Sequence, residues 1–211
     1  MTLIKYPKSV QPSLLTILKR MMCIPDFDQF SLAGGTSLAL QLGHRTSVDI
    51  DLFSVSKFDS NSLQISLKKN FPSIEIVNRT HGSLCVFFEG IKIDMLHHPF
   101  PLLEKIQTEN EFRVYSLRDV SAMKINAVTN RGAKKDFVDL YVLHQSGISL
   151  EQSISNFCIK YNGNKFLALK SIMWFNDADA EPDPIFLTNV TWSSIKEQMQ
   201  KIAKELSKNM Q

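Results

Sequence analysis

The sequence predicts an α/β fold, with a small mixed sheet flanked by helices and a C-terminal helical bundle. Three observations predict it. Between Phe30 and Phe53 a strand-like run, a Gly34-Gly35 break, a short helix-like run and a second strand-like run follow one another. Between Ile74 and Leu96 three further runs of β-branched and apolar residues are separated by turn residues. From Ser116 onward the apolar residues recur at helical spacing. This change of pattern sets the expected division, a sheet-bearing core over residues 1–115 and a helical region over residues 116–211.

Each element has a local reason. Leu14, Leu15, Leu18 and Met22 make Pro12–Met22 a packing helix, with Pro25 after its end. Residues 30–33 read as a strand cut short by two glycines, residues 36–42 as the helix they open, and residues 48–53 as the next strand. Residues 59–69 form a helix stopped by Pro72. Residues 74–78, 83–89 and 91–96 are strands, the last two joined by a Glu89-Gly90 hairpin turn. Residues 99–115 read as an irregular connection with one short strand at 112–115. Ser116 caps a helix running to about Asn130, with Asp119 reaching back as a capping-box variant. Gly132 ends it, and Lys134-Lys135-Asp136 opens the next helix, with Phe137, Leu140, Tyr141 and His144 on its apolar face. Residues 155–159 and 166–174 are packed helices, and residues 177–184 an acidic, proline-bearing connection. In the last helix Trp192, Ile195, Met199, Ile202 and Leu206 share one face.

The chain has 211 residues, enough to bury a substantial core. Its 44% hydrophobic and 21% charged content argues against disorder. A formal net charge of +3 does not by itself mark a nucleic-acid binder, so any RNA site must be a local patch. Cys23, Cys85 and Cys158 are far apart and odd in number, with no metal-type spacing, and read as reduced thiols of a cytoplasmic protein. The start of the chain has no apolar run of the signal-peptide kind, and no segment reaches membrane-spanning length.

The residues that carry chemistry begin at Gly34-Gly35. Two glycines at a strand-to-helix turn put no Cβ in the way of a phosphate approaching the helix's first N–H groups. On a strand over residues 48–53, Asp49 and Asp51 share one face while Val48, Ile50 and Leu52 take the other. Two carboxylates so placed repel unless a cation lies between them. A phosphate cradle followed by such a pair points to chemistry on a nucleoside triphosphate. Asp94 is a third acid. Lys92, Asp94 and Leu96 face one way on their strand, Ile91, Ile93 and Met95 the other. A charge in mid-strand is costly unless paired, and a neighbouring Lys or Arg would satisfy it. His97 and His98 are adjacent on a strand end and cannot both face one metal. In the helix after Ser116, Lys124 lies on a stripe with Val120, Ala127 and Arg131. Its ammonium either snorkels to water or is aimed at triphosphate. Asp136 at a helix start is favoured by the macrodipole.

The string from Gly34-Gly35-Thr36 through Gly43-His44-Arg45 to Ser47-Val48-Asp49-Ile50-Asp51-Leu52-Phe53 resembles the signature of the DNA polymerase β-like nucleotidyltransferases. More narrowly, it resembles the AbiEii/AbiGii toxins of bacterial abortive-infection and toxin–antitoxin systems. Leu117-Arg118-Asp119, Ala122-Met123-Lys124 and the run Arg131-Gly132-Ala133-Lys134-Lys135-Asp136-Phe137-Val138-Asp139-Leu140 add a second resemblance to that family. It implies the minimal polymerase β-like nucleotidyltransferase fold. It implies catalytic and metal-binding roles for Asp49, Asp51 and Asp94, with Mg²⁺ as the ion and Mn²⁺ as the alternative. It implies nucleotide contacts from Gly34, Gly35, Thr36, Ser37, Lys124, Lys135 and Asp136, with His44, Arg45, Ser47, Arg131 and Asp139 as neighbours of the site. The implied reaction moves a nucleoside monophosphate from an NTP to an RNA acceptor, tRNA being the substrate of related toxins, and the implied protein partner is a cognate antitoxin. Arg45, Arg131, Lys134 and Lys135 are the candidates for a local RNA patch. The alternatives are transfer to a small molecule or protein, and a non-catalytic nucleotide- or partner-binding module. The intact acid triad argues against the latter.

Overall fold

The computed structural model describes residues 2–208, so residue 1 and residues 209–211, the outer ends of the expected division, lie outside the described residues. The chain forms two compact units. The first comprises Met1–Gln41, Ser47–Pro101 and Ile106–Tyr115, and the second Leu42–Thr46, Leu102–Lys105 and Ser116–Gln211.

The strands of the first unit are β1 Ser31–Leu32, β2 Ile50–Ser54, β3 Glu75–Thr80, β4 Ser83–Phe88, β5 Ile91–His97, β6 Gln107–Glu109 and β7 Phe112–Val114. They form a seven-stranded mixed sheet in the order β3-β4-β5-β2-β1-β7-β6. Parallel pairing joins β2 to β5 and β1 to β7, and every other neighbouring pair is antiparallel. The alternation read from the sequence decides which face is covered. Ile50 and Leu52 of β2, Leu84 and Val86 of β4, and Ile93 and Met95 of β5 are all buried. They share a core with Leu14, Ile17 and Leu18 of α1 Pro12–Met22, and with Leu63 and Leu67 of α3 Ser60–Asn70. The side chains between them, Asp51, Cys85, Lys92 and Asp94, are only partly buried and belong to the opposite face.

Three details differ from the sequence expectation. Strand β6 lies in what reads as an irregular connection. Its Gln-Thr-Glu run has no apolar alternation, and it exists because β7 pairs with it across Asn110, whose φ is +51°. Helix α2 begins two residues early, at Gly34, and runs to Leu42. Strand β2 begins two residues late, at Ile50. The backbone before it is held otherwise: Ser47 N–H donates to Ser9 O, and the Thr36 hydroxyl donates to Asp49 O. Val48 is therefore exposed rather than in the core.

The second unit is helical, with α4 Leu117–Asn130, α5 Lys134–Gln145, α6 Leu150–Tyr161, α7 Lys165–Ile172, α8 Asn176–Asp179 and α9 Trp192–Lys208. The short α8 falls partly within the expected acidic connection. Ala122, Ile125, Phe137, Leu140, Ile154, Ala168, Ile195 and Met199 join in one core. Two short segments from earlier in the chain belong to this unit. Leu42–Thr46 is tied in by Thr46 N–H to Ile185 O and by Leu187 N–H to His44 O. Leu102–Lys105 is tied in by the N–H groups of Leu103 and Glu104, which donate to the Asp119 carboxylate. Ser116 caps α4 as expected, accepting from Asp119 N–H. Asp119 does more than close a capping box: it is fully buried and also takes the Lys160 ammonium at 2.8 Å. Among the described residues, no helix is long and apolar enough to cross a membrane.

Candidate active site

Two strands set the acidic face. In the parallel pairing of β2 and β5, Asp51 stands opposite Asp94, so both side chains leave the sheet on the same side. On the other flank of β5, Cys85 of β4 is in register with Asp94. Burial pushes the Cys85 thiol up to about 11, and its hydrogen bond to Asp94 adds to the shift, so it faces the acid as a neutral S–H. Asp49 sits one residue before β2, near enough for its charge to act on both Cys85 and Lys92. Lys92, two residues before Asp94 on the same face, places Nζ 2.5 Å from Asp94 Oδ2. The alternation of β5 already put Lys92 on the side of Asp94, which was the signal for this contact.

Gly34 lies against this face. Its φ is +68°, a conformation that costs an L side chain, and a Cβ there would stand 2.6 Å from Asp51 Oδ2. The room that the first glycine leaves is thus taken by the Asp51 carboxylate itself. Behind Gly34 and Gly35 the hydroxyls of Thr36 and Ser37 are buried. Thr36 Oγ1 binds Ser47 Oγ at 2.8 Å as well as Asp49 O, and Ser37 Oγ accepts from Gln41 Nε2 at 2.9 Å. The Thr36 hydroxyl, with that of Ser47, holds the helix to the segment carrying Asp49, while Ser37 bonds within the helix. With those hydroxyls engaged, backbone N–H is the group at the start of α2 that would favour a phosphate.

In the second unit Arg45, Lys124, Asp136 and Asp139 form one buried chain of charges, with Arg131 at its exposed end. Asp139 is fully buried and accepts from Arg45 Nε at 2.7 Å and Arg45 Nη2 at 2.9 Å, a two-pronged contact. His44 Nε2 lies 2.7 Å from the same carboxylate and donates to it, since an ionised carboxylate only accepts. Lys124 Nζ bridges Asp139 at 2.7 Å and Asp136 at 2.8 Å. Arg131 closes the chain on Asp136 with Nε at 2.8 Å and Nη2 at 3.0 Å. Burial would raise the Asp139 carboxyl, but Arg45 and Lys124 outweigh it and hold the group well below the usual carboxylate range. Asp136 is lowered in the same way, burial being outweighed by Lys124 and Arg131. Lys124 is raised, because Asp139 and Asp136 overcome the burial that would discharge it. Its ammonium therefore does not snorkel to water. Lys134 is also buried, on Asp183 and the carbonyl of Glu181, while Lys135 is exposed. Of the four expected RNA-patch cations, Arg45 and Lys134 are thus inside the unit, and Arg131 and Lys135 reach its surface.

A glycine turn opening a helix, followed by carboxylates facing each other on parallel strands, is the arrangement against which known proteins can be compared. The family profile described as "Nucleotidyl transferase AbiEii toxin, Type IV TA system" matches residues 16–93 and 85–208. The chain belongs to the AbiEii nucleotidyltransferase toxin family. An uncharacterized protein of Aquifex aeolicus strain VF5, aq_aa25, is 29% identical to this AbiEii chain, over 91% of it and 95% of that protein. Among solved structures, one of a nucleotidyltransferase assigned in H. pylori has a TM-score of 0.59 at 15% identity, over 93% of this chain and 92% of its own. MenT4, a nucleotidyltransferase toxin of Mycobacterium tuberculosis, has a TM-score of 0.54 at 16% identity, over 92% and 84% of the two chains. At such identities these structures show that the α/β fold is shared.

The AbiEii family is typically metal-dependent, and the acidic face can be tested against that. Three carboxylates are the hard oxygen donors that Mg²⁺ and Mn²⁺ take. The close approach of Asp51 to Gly34 keeps its carboxylate on the same side as Asp94. As the side chains stand, no group of three or more His, Cys, Asp or Glu among the described residues converges to hold an ion. At Asp94 the Lys92 ammonium stands where a cation would. The donor chemistry fits, with one of the three carboxylates already neutralised by a side chain.

Proposed function

We propose that this AbiEii toxin transfers a nucleoside monophosphate from an NTP to the end of a small structured RNA, a tRNA being the favoured acceptor, and that a cognate antitoxin restrains it. The observation that carries the reading is the register of Asp51 with Asp94 across parallel strands, with Asp49 next to them and Gly34 against Asp51.

In this reading Asp49, Asp51 and Asp94 would hold Mg²⁺ or Mn²⁺, which when bound neutralises charge on the triphosphate. The N–H groups at Gly34, Gly35 and Thr36 orient the triphosphate by its outer phosphates, with Ser37 next in the same turn. The acceptor hydroxyl attacks the α-phosphorus, forming a new P–O bond. The bond from the α-phosphorus to the bridging oxygen breaks, and pyrophosphate leaves with the electron pair. The Asp94 carboxylate takes the hydroxyl proton. Lys124 and Asp136 would keep the second unit's charge chain in place, and exposed Lys135 is that unit's candidate for nucleotide phosphate. Arg131 and Lys135 supply the cations for RNA phosphates.

The test is incubation of the purified chain with each α-labelled NTP and total RNA, beside Asp49→Ala. The expected result is label on a small RNA with wild type and none with the variant, declining as salt rises. Label appearing on protein or on a small molecule would move the proposal to that acceptor. No label on anything would remove it. Growth arrest on induction, relieved by Asp49→Ala or by the neighbouring open reading frame, tests the antitoxin.

A further inference from the structure

We propose that Lys92 is a displaceable counter-ion of the acidic face, holding Asp94 until a divalent cation takes the carboxylate from it. The inference rests on the metal reading of Asp49, Asp51 and Asp94 above and goes beyond it.

The geometry is specific. Lys92 and Asp94 are two apart on β5, so they share a face, and the ammonium sits 2.5 Å from Oδ2. Asp51 stands in register with Asp94 on β2, and Asp49 is close enough to act on the ammonium. A lysine on a partly open sheet face has a long stem and can put its charge in water. Fixing it on one carboxylate costs rotamer freedom, and an exposed pair returns little. The ammonium here touches Asp94, which stands in register with Asp51, and the charge of Asp49 adds a weaker pull. Its side chain is 41% exposed, so leaving Asp94 for water breaks no core packing.

Two consequences follow. Without metal, the acids are spared their mutual repulsion. With metal, the ion must displace the ammonium, so Lys92 weakens metal binding and restricts it to conditions where an additional ligand, such as a triphosphate, helps to hold the ion. A displaced ammonium remains tethered beside the acids, where a triphosphate brings negative charge.

The experiment measures binding of Mn²⁺ alone, by electron paramagnetic resonance and calorimetry, with no nucleotide and no turnover. Wild type, Lys92→Met, Lys92→Arg, Asp94→Asn and the double variant Lys92→Met/Asp94→Asn are compared, each checked for an unchanged melting profile. Freeing the Asp94 carboxylate from its ammonium is expected to tighten Mn²⁺ binding roughly tenfold in Lys92→Met. Lys92→Arg should stay near wild type. The gain should fall below about twofold in the Asp94→Asn background, because the coupling runs through that carboxylate. Unchanged or weaker Mn²⁺ binding by Lys92→Met overturns the inference, as does an undiminished gain in the Asp94→Asn background. Absence of Mn²⁺ binding by every protein overturns the metal reading along with it.

Discussion

Gly34 and Asp51 compete for one small space. A Cβ on Gly34 would stand 2.6 Å from Asp51 Oδ2, and Gly34 has a φ of +68°. Two costs therefore fall on any side chain there, a strained backbone and a displaced carboxylate. Gly34→Ala is expected to lower stability by about 1–3 kcal/mol through the backbone alone. Nucleotidyl transfer should fall further than the melting temperature accounts for, since the carboxylate moves off the acidic face. Calorimetry beside a labelled-NTP assay checks this, and a variant with wild-type transfer would sink the link between Gly34 and the site.

The acids should be dispensable for folding. Asp51 and Asp94 stand side by side, and Lys92 offsets the charge of Asp94, so little of the roughly 0.2–1 kcal/mol of a like-charge cross-strand pair remains. Asp51→Asn, which keeps the shape and the acceptor oxygen of the side chain, is expected to change stability by less than about 1 kcal/mol. Loss of several kcal/mol of charge stabilisation should lower transfer by at least about 10²-fold. A urea melt and an initial-rate measurement on the same preparation decide it, and a variant that melts early would show Asp51 to be structural.

The buried charge chain makes the second unit sensitive to acid. Asp139 is held below its ordinary value, so it contributes stability present above the unfolded carboxylate value near 3.9 and lost as pH falls through the lower folded value. Wild type should be stable at pH 7 and weaken below about pH 4. Asp139→Asn, leaving Arg45 and Lys124 without their carboxylate, should lose about 3–5 kcal/mol at pH 7 and lose less than wild type on acidification. Lys124→Met should likewise destabilise at pH 7, where a snorkelling lysine would tolerate the change. Urea midpoints across pH measure both effects.

The pair of Asp119 and Lys160 offers a separate test. Both are fully buried, 2.8 Å apart, and Asp119 also anchors the N–H groups of Leu103 and Glu104. Lys160→Met strands a buried carboxylate and should cost about 3–5 kcal/mol. Hydrogen exchange at the Leu103 and Glu104 amides should change little in Lys160→Met and rise sharply in Asp119→Ala. Equal protection in both variants would contradict the anchoring role.

Much of the acidic face was legible because strands advertise themselves. Ile91, Ile93 and Met95 alternate with Lys92 and Asp94, and the period of two assigns each to a face before any coordinates exist. The capping residue Ser116 was readable for a similar reason, since its chemistry is local. What the sequence withheld was tertiary. Nothing in Gln107-Thr108-Glu109 marks a strand, because its partner supplies the reason for it. Nothing local to Lys124 says that its charge is met by Asp136 and Asp139 on another helix, or that Arg45 completes the chain from far upstream. Thr36 and Ser37 look like phosphate ligands from their place after two glycines, yet their hydroxyls turn inward to Ser47, Asp49 and Gln41. Backbone reach and side-chain reach are indistinguishable in a one-dimensional string.

The parallel pairing of β2 with β5 carries a consequence for the order in which the first unit is completed. Parallel neighbours cannot be joined by a tight turn, and here the chain passes through α3, β3 and β4 between them. Closing so long a loop is among the slower steps open to a small domain. Asp51 leaves the ribosome well before Asp94 does, and the two meet only when the strand bearing Asp94 has emerged and docked. A chain stopped before β5 cannot bring Asp51 and Asp94 together, and until that strand docks β2 lacks its parallel neighbour and the first unit's sheet is split.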